Sequence, residues 1–153
     1  MKNDKSDAEE QFDKFLMSMD DQLDALYGEA TKRSVNLDFS LEDLNRLERL
    51  FDSMSVEFDK GELSSLVVTF ARHLGEVVRR NYGGQWRLPL DDETNVNFNT
   101  PVIVGHSPVK ELEFAPISVM RAYAVRRRPG TLKRAVDADA NPQPLDLTDL
   151  IEE

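Results

Sequence analysis

The chain contains no cysteine, two histidines and one tryptophan, Trp86, in 153 residues. Without cysteine there is no disulfide, no thiolate metal site and no thiol nucleophile, a composition compatible with a reducing cytosol. Long apolar runs are also missing, and nothing approaches the roughly 18 residues of a membrane-spanning helix. Met1 to Glu10 is polar and acidic and lacks the apolar segment of a secretory leader. The expected address is therefore the cytoplasm, with no membrane partner. Two histidines unsupported by cysteine argue against zinc, and no metal or cofactor is expected.

Positive charge is scarce overall. Nineteen bases stand against 29 acids, for a formal charge of −10, which opposes nonspecific binding to nucleic acid or anionic lipid. The imbalance is local: the first 30 residues are strongly acidic, whereas 72–87 and 121–134 are basic. An acidic surface of this kind suits a basic protein partner. The length sets the prior at one domain with a real core, and 40% hydrophobic with 31% charged residues is a globular composition.

Apolar periodicity predicts helices first. Residues 1–7 have nothing to bury and read as a disordered N-terminus. Phe12, Phe15, Leu16, Met19, Leu23, Leu26 and Tyr27 trace one helical face, predicting a single helix from Phe12 to about Ala30. A second helix is expected from an N-cap at Ser40, with Asp43 at N3 and Phe39 and Leu44 as a hydrophobic staple, running to about Ser55. Val56 and Phe58 are expected to pack in the following turn. The third helix starts at Leu63 and carries a broad stripe through Val78, with Gly75 marking a close approach by another backbone. Arg72, Glu76 and Arg80 fall at i, i+4 spacing as ion-pair partners, and Gly83-Gly84 ends the helix.

The period then changes from 3.6 to 2. Trp86, Leu88 and Leu90 alternate with polar neighbours, and Pro89 marks a strand edge or end. Val96 with Phe98, Val102 to Val104, and Leu112 with Phe114 give further short strands. Pro116 opens a fourth helix, Arg126 to Arg128 sit favourably at its C-terminal end, and Pro129-Gly130 stops it. Thr131 starts a short fifth helix. The fold class expected is α+β: N-terminal helices, an antiparallel sheet of three or four strands, and a C-terminal helix packed on the sheet. The domain is placed at 8–137, with an acidic, mobile tail over 138–153.

Chemistry-bearing residues are few. His73 beside the stripe reads as a helix-flank residue. His106 in Gly105-His106-Ser107-Pro108 could form a dyad with Ser107, but the run lacks the Gly-x-Ser-x-Gly elbow and any placed acid, so a turn is the reading. Asp91-Asp92-Glu93 lacks the spaced ligands of a calcium loop and reads as a solvated turn. Gly83-Gly84 follows a helix, where a phosphate loop follows a strand. No catalytic residue is assigned. The candidate binding residues are Glu76, Tyr82, Trp86, Asp91, Asp92, Glu93 and His106.

Leu74-Gly75-Glu76, Gly83-Gly84-Gln85-Trp86, Pro101-Val102 and Phe114-Ala115-Pro116 together resemble a class of small, uncharacterised bacterial domains with a helix, LGE, GG-x-W, strand layout. The resemblance spans Leu63 to Val136. Some members look like immunity-type proteins, which implies a noncatalytic intracellular binding or inhibitory module and supplies no catalytic residue. Two other classes remain open: a small-ligand-binding or enzymatic domain with a pocket near Glu76, Tyr82, Trp86 and His106, and an oligomerising scaffold.

Overall fold

The computed structural model describes residues 4–140, which form six helices and one two-stranded antiparallel sheet, an α+β arrangement. In chain order these are α1 (Asp4–Met17), α2 (Met19–Lys32), α3 (Asp43–Ser55), α4 (Lys60–Tyr82), β1 (Gln85–Arg87), β2 (Val102–Val104), α5 (Pro116–Arg126) and α6 (Thr131–Ala140). The tail expected beyond 137 lies outside the described residues from 141 onward. Residues 138–140 complete α6, and 4–7 begin α1 instead of extending a disordered end.

Helix α4 is the axis. It starts three residues before the expected Leu63 because Asp59 and Glu62 form a reciprocal capping box. The Glu62 amide donates to Asp59 Oδ1 at 2.8 Å and the Asp59 amide to Glu62 Oε1 at 3.0 Å. It ends where Gly83 takes a φ of +89° and donates its amide to the Arg79 carbonyl. Between these ends, every residue from Phe70 to Val78 is buried. A stretch covered on all sides forces each of its polar side chains to find a partner inside the protein.

Helices α2, α3 and α5 and strand β2 surround α4. Phe51 of α3 meets Phe70 edge-on at 5.2 Å and Tyr123 of α5 at 6.2 Å, joining three helices through aromatic contacts. Helix α5 lies chiefly along α4, not on the sheet as expected, and α6 closes against α3 and α5. Glu48 of α3 makes that closure. Its carboxylate accepts the Gly130 and Leu132 amides, both at 2.9 Å, at the positive end of α6.

The sheet is smaller than the alternation suggested. β1 and β2 pair in the register Gln85 with Val104, Trp86 with Ile103 and Arg87 with Val102. Phe114 adds only one bridge, exchanging two backbone hydrogen bonds with Ile103 at 2.8 and 2.9 Å. No strand forms at Val96 to Phe98. Asp92 and Asn95 bond the amides of Thr94 and Asn97 at 2.9 Å each, bending the chain into consecutive turns that leave Val96 on the surface. Glu113 then holds this loop by accepting from the Asn95 and Asn97 side-chain amides.

Three further expectations change. The helix expected from Phe12 to Ala30 breaks at Ser18 into α1 and α2. Ser40 does not cap α3: Phe39 takes a left-handed φ of +66°, the next residues turn, and the helix begins at Asp43. Val56 does not pack, being 82% exposed.

Gly75 is where β1 meets the axis. A Cβ there would collide with the Trp86 ring, whereas a Cβ at Gly28 on α2 would meet open space. Gly75→Ala should destabilise by about 1–3 kcal/mol through overpacking, and Gly28→Ala should stabilise by about 0.5–1 kcal/mol through helix propensity. Denaturant unfolding followed by Trp86 emission checks both. Equal effects at the two glycines would refute the packing described for Gly75.

Candidate functional site

A polar cluster inside the protein joins three helices. Asp43 at the start of α3 and His73 in the middle of α4 are fully buried, and His73 Nε2 donates to Asp43 Oδ2 at 2.7 Å. Tyr27 of α2 stands on the other side of the ring, its hydroxyl 3.3 Å from Nδ1, which accepts in the neutral tautomer. Asp43 also accepts the amides of Asp38 at 3.0 Å and Phe39 at 2.7 Å, and the guanidinium of Arg46 at 3.0 Å. Phe39 covers the imidazole at 4.6 Å, and Arg80 caps Phe39 at 3.6 Å. His73 is thus a core residue and not the helix-flank residue expected.

Burial alone would raise the Asp43 pKa. The hydrogen bonds from His73, Arg46 and the Phe39 amide outweigh it and hold the carboxyl below its usual range. Burial pushes the Tyr27 hydroxyl above the ordinary phenol range, which makes it a poor nucleophile. An acid, a base and a hydroxyl stand in line, yet two of them are sealed from solvent, and the group acts as a tie between helices.

Glu76 has a different set of partners from those expected. Trp86 Nε1 donates to Oε2 at 2.8 Å and Arg79 to both oxygens at 2.9 Å, while Arg80 stands back at 3.8 Å. Arg72 does not reach Glu76. It donates to the Phe15 carbonyl of α1 and lies over the Phe15 ring at 4.0 Å. The side chain at position 76 therefore ties β1 to the axis, and that at position 72 ties α1 to it.

The other candidate residues fall in separate places. Tyr82 is half-buried against the core in the last turn of α4. Trp86 lines a cavity of about 450 Å3 with Glu9, Phe12, Asp13, Arg87, Leu88 and Leu90. Asp91 is exposed and 3.5 Å from Arg87. Asp92 is exposed, held below the usual carboxylate range by the Thr94 hydroxyl and amide. Glu93 lines a cavity of about 280 Å3 with Lys5, Ala8, Leu90, Phe98 and Asn99. Among the described residues no three acids or histidines are grouped to hold a metal.

His106 is buried at the turn after β2, with Nε2 3.2 Å from Asp139 of α6 and Nδ1 without a hydrogen-bond partner among the described residues. Its ring stands edge-on to Phe114. Glu76 and His106 thus hold different partners on different elements, and neither lines the two cavities at Trp86 and Glu93.

The sequence did not show the interior roles of Tyr27, placed on a helical face, and Asp43, placed at N3 of a helix, and Glu48 and Asp52 were not singled out at all, the last accepting the Tyr123 hydroxyl at 2.8 Å. A signal existed for two of them. Glu48 sits four residues after Leu44 and three before Phe51, and Asp43 four before Leu47, so both interrupt the apolar stripe of α3. No family model, curated protein or solved structure significantly matches the chain.

Because the Asp43 pKa is depressed, its stabilising contribution is complete above the unfolded value of about 3.9 and is lost as pH falls through the folded value. Stability should therefore fall as pH drops below about 4. Asp43→Ala should cost about 3–5 kcal/mol at neutral pH by leaving His73 and two amides unpaired, with a shallower acid limb. Urea unfolding at a series of pH values measures both, and an unchanged acid limb in the variant would contradict this assignment.

Proposed function

We propose that the chain is a noncatalytic binding module, of inhibitory or immunity-like type, that engages a basic protein surface through the acidic outer face of α1 and α2. The observation that carries this reading is a division of labour among the carboxylates. Asp43, Glu48, Asp52 and Glu76 each hold another element of the fold through hydrogen bonds. Glu9, Glu10, Asp13, Asp20, Asp21 and Asp24 are exposed and make no ion pair among the described residues.

The first 30 residues hold nine acids and three lysines, so they contribute −6 of the formal −10. A one-signed face of this kind raises the rate of encounter with an oppositely charged partner and makes that rate salt-dependent. The exposed acids of α2 leave its buried positions, Met19, Leu23, Leu26 and Ala30, untouched, so the charge can be altered without touching the core.

The test compares proteins captured from the native lysate by wild type and by the Asp20→Lys, Asp21→Lys, Asp24→Lys variant. The reading expects a basic partner that the variant loses. With that partner in hand, association should slow at least about tenfold at low salt and lose most of its salt dependence. Capture that is unaltered by the reversal, or a salt dependence that survives it, would refute the proposed face.

A further inference from the structure

The geometry points to α1 as an exchangeable arm: it can unkink at Ser18, leave its seat and dock on the same seat of a second copy of this chain, producing a swapped dimer. Several observations converge on this. The apolar stripe Phe12, Phe15, Leu16, Met19, Leu23 and Leu26 crosses Ser18 without a break in helical phase, so the local code is for one straight helix. The observed break is a single residue, and hydrogen bonds of helical spacing persist on both sides of it, from the Ser18 amide to the Lys14 carbonyl and from the Gln22 amide to the Ser18 carbonyl.

Ser18 itself holds the bend. Its backbone has φ −91° and ψ 4°, against a helical ψ of about −42°, so a small rotation straightens the helix. Its hydroxyl does not cap α2. Instead it donates to the Lys14 carbonyl at 2.8 Å, the back-bonding that bends helices.

The seat holds α1 through one tie, the Arg72 guanidinium on the Phe15 carbonyl and ring, which an incoming α1 would make again, and otherwise through partial burial. None of the residues from Lys5 to Met17 is buried, whereas α2 buries four. Phe12 and Phe15 are only half-covered, Phe15 meeting Trp86 edge-on at 5.1 Å, and the cavities of about 280 and 450 Å3 both run between α1 and the segment from Trp86 to Asn99. At the bend Leu16 and Met17 are exposed, Met17 by 83%.

A straight helix over 4–32 would be about 43 Å long, with α1 making up about 21 Å of it. The vacated seat fits one occupant by construction, since α1 of another copy makes the same contacts that the chain's own α1 makes; this is the economy of domain swapping. The opposing term is charge. Two copies at −10 repel, so the exchange strengthens with salt as screening shortens the reach of that repulsion.

The absence of cysteine makes the test clean. One sample carries Asp13→Cys and another Leu88→Cys, two residues lining the same cavity. The two are mixed at high protein concentration and treated with a short bismaleimide. The expected result is a 13-to-88 crosslink between chains, increasing with protein concentration and salt. Ser18→Ala, which removes the hydroxyl and favours the straight helix at two hinges per dimer, should tighten dimerisation roughly fivefold. Three glycines inserted after Ser18 should abolish the crosslink between chains. The inference is overturned if the mixture gives no 13-to-88 crosslink in wild-type and Ser18→Ala backgrounds whose circular dichroism shows them folded. Dimers joined without that crosslink would overturn it equally.

Discussion

The hydrogen bond between His73 and Asp43 is the constraint around which the rest is arranged. A helix that is buried throughout two and a half turns cannot keep an imidazole there unless a partner is supplied, and an isolated carboxylate in the same interior would be costlier still. Each group makes the other tolerable. The Asp43 carboxylate also gathers the amides of Asp38 and Phe39, so the loop before α3 is wrapped around the pair. This accounts for the late start of α3 and for the left-handed backbone of Phe39.

The same rule runs along α4. Arg72 holds α1 through the Phe15 carbonyl, His73 holds α3 and α2, Glu76 holds β1 through the Trp86 indole, and Asn81 donates to the Phe39 carbonyl at 2.8 Å. Four polar side chains on one helix tie down α1, α2, α3, β1 and the loop before α3. These ties are specific where apolar packing is not, because each demands one donor at one acceptor. These interior polar groups are engaged in holding helices, whereas Glu9, Glu10, Asp13, Asp20, Asp21 and Asp24 are exposed on α1 and α2.

Much of this was legible in the sequence. The stripes of α3 and α4, the glycine stop at Gly83, β1 at Trp86, β2 at Val102 and the proline start of α5 all follow from local period and turn chemistry. The polar ties were not legible, because period assigns a residue to a face without saying what waits there. His73 lies on the line through Phe70 and Val77 and Glu48 on the line through Leu44 and Phe51, and a polar residue on such a line was the available clue. The missing strand at Val96 failed for a different reason: two Asx side chains competed successfully with a ladder. Ser18 is the reverse case, where the periodicity of a single helix is sound and one hydroxyl bends it. Of the candidate site residues, Glu76 and Trp86 form a hydrogen-bonded structural pair.

The central claim, that the polar interior of α4 is a set of structural ties, is tested most directly by a double-mutant cycle. Asp43→Asn, His73→Phe and the pair together would be unfolded in urea at neutral pH. The account predicts a coupling energy of about 2 kcal/mol or more, since either single change strands the other group in the core. A coupling near zero would contradict it.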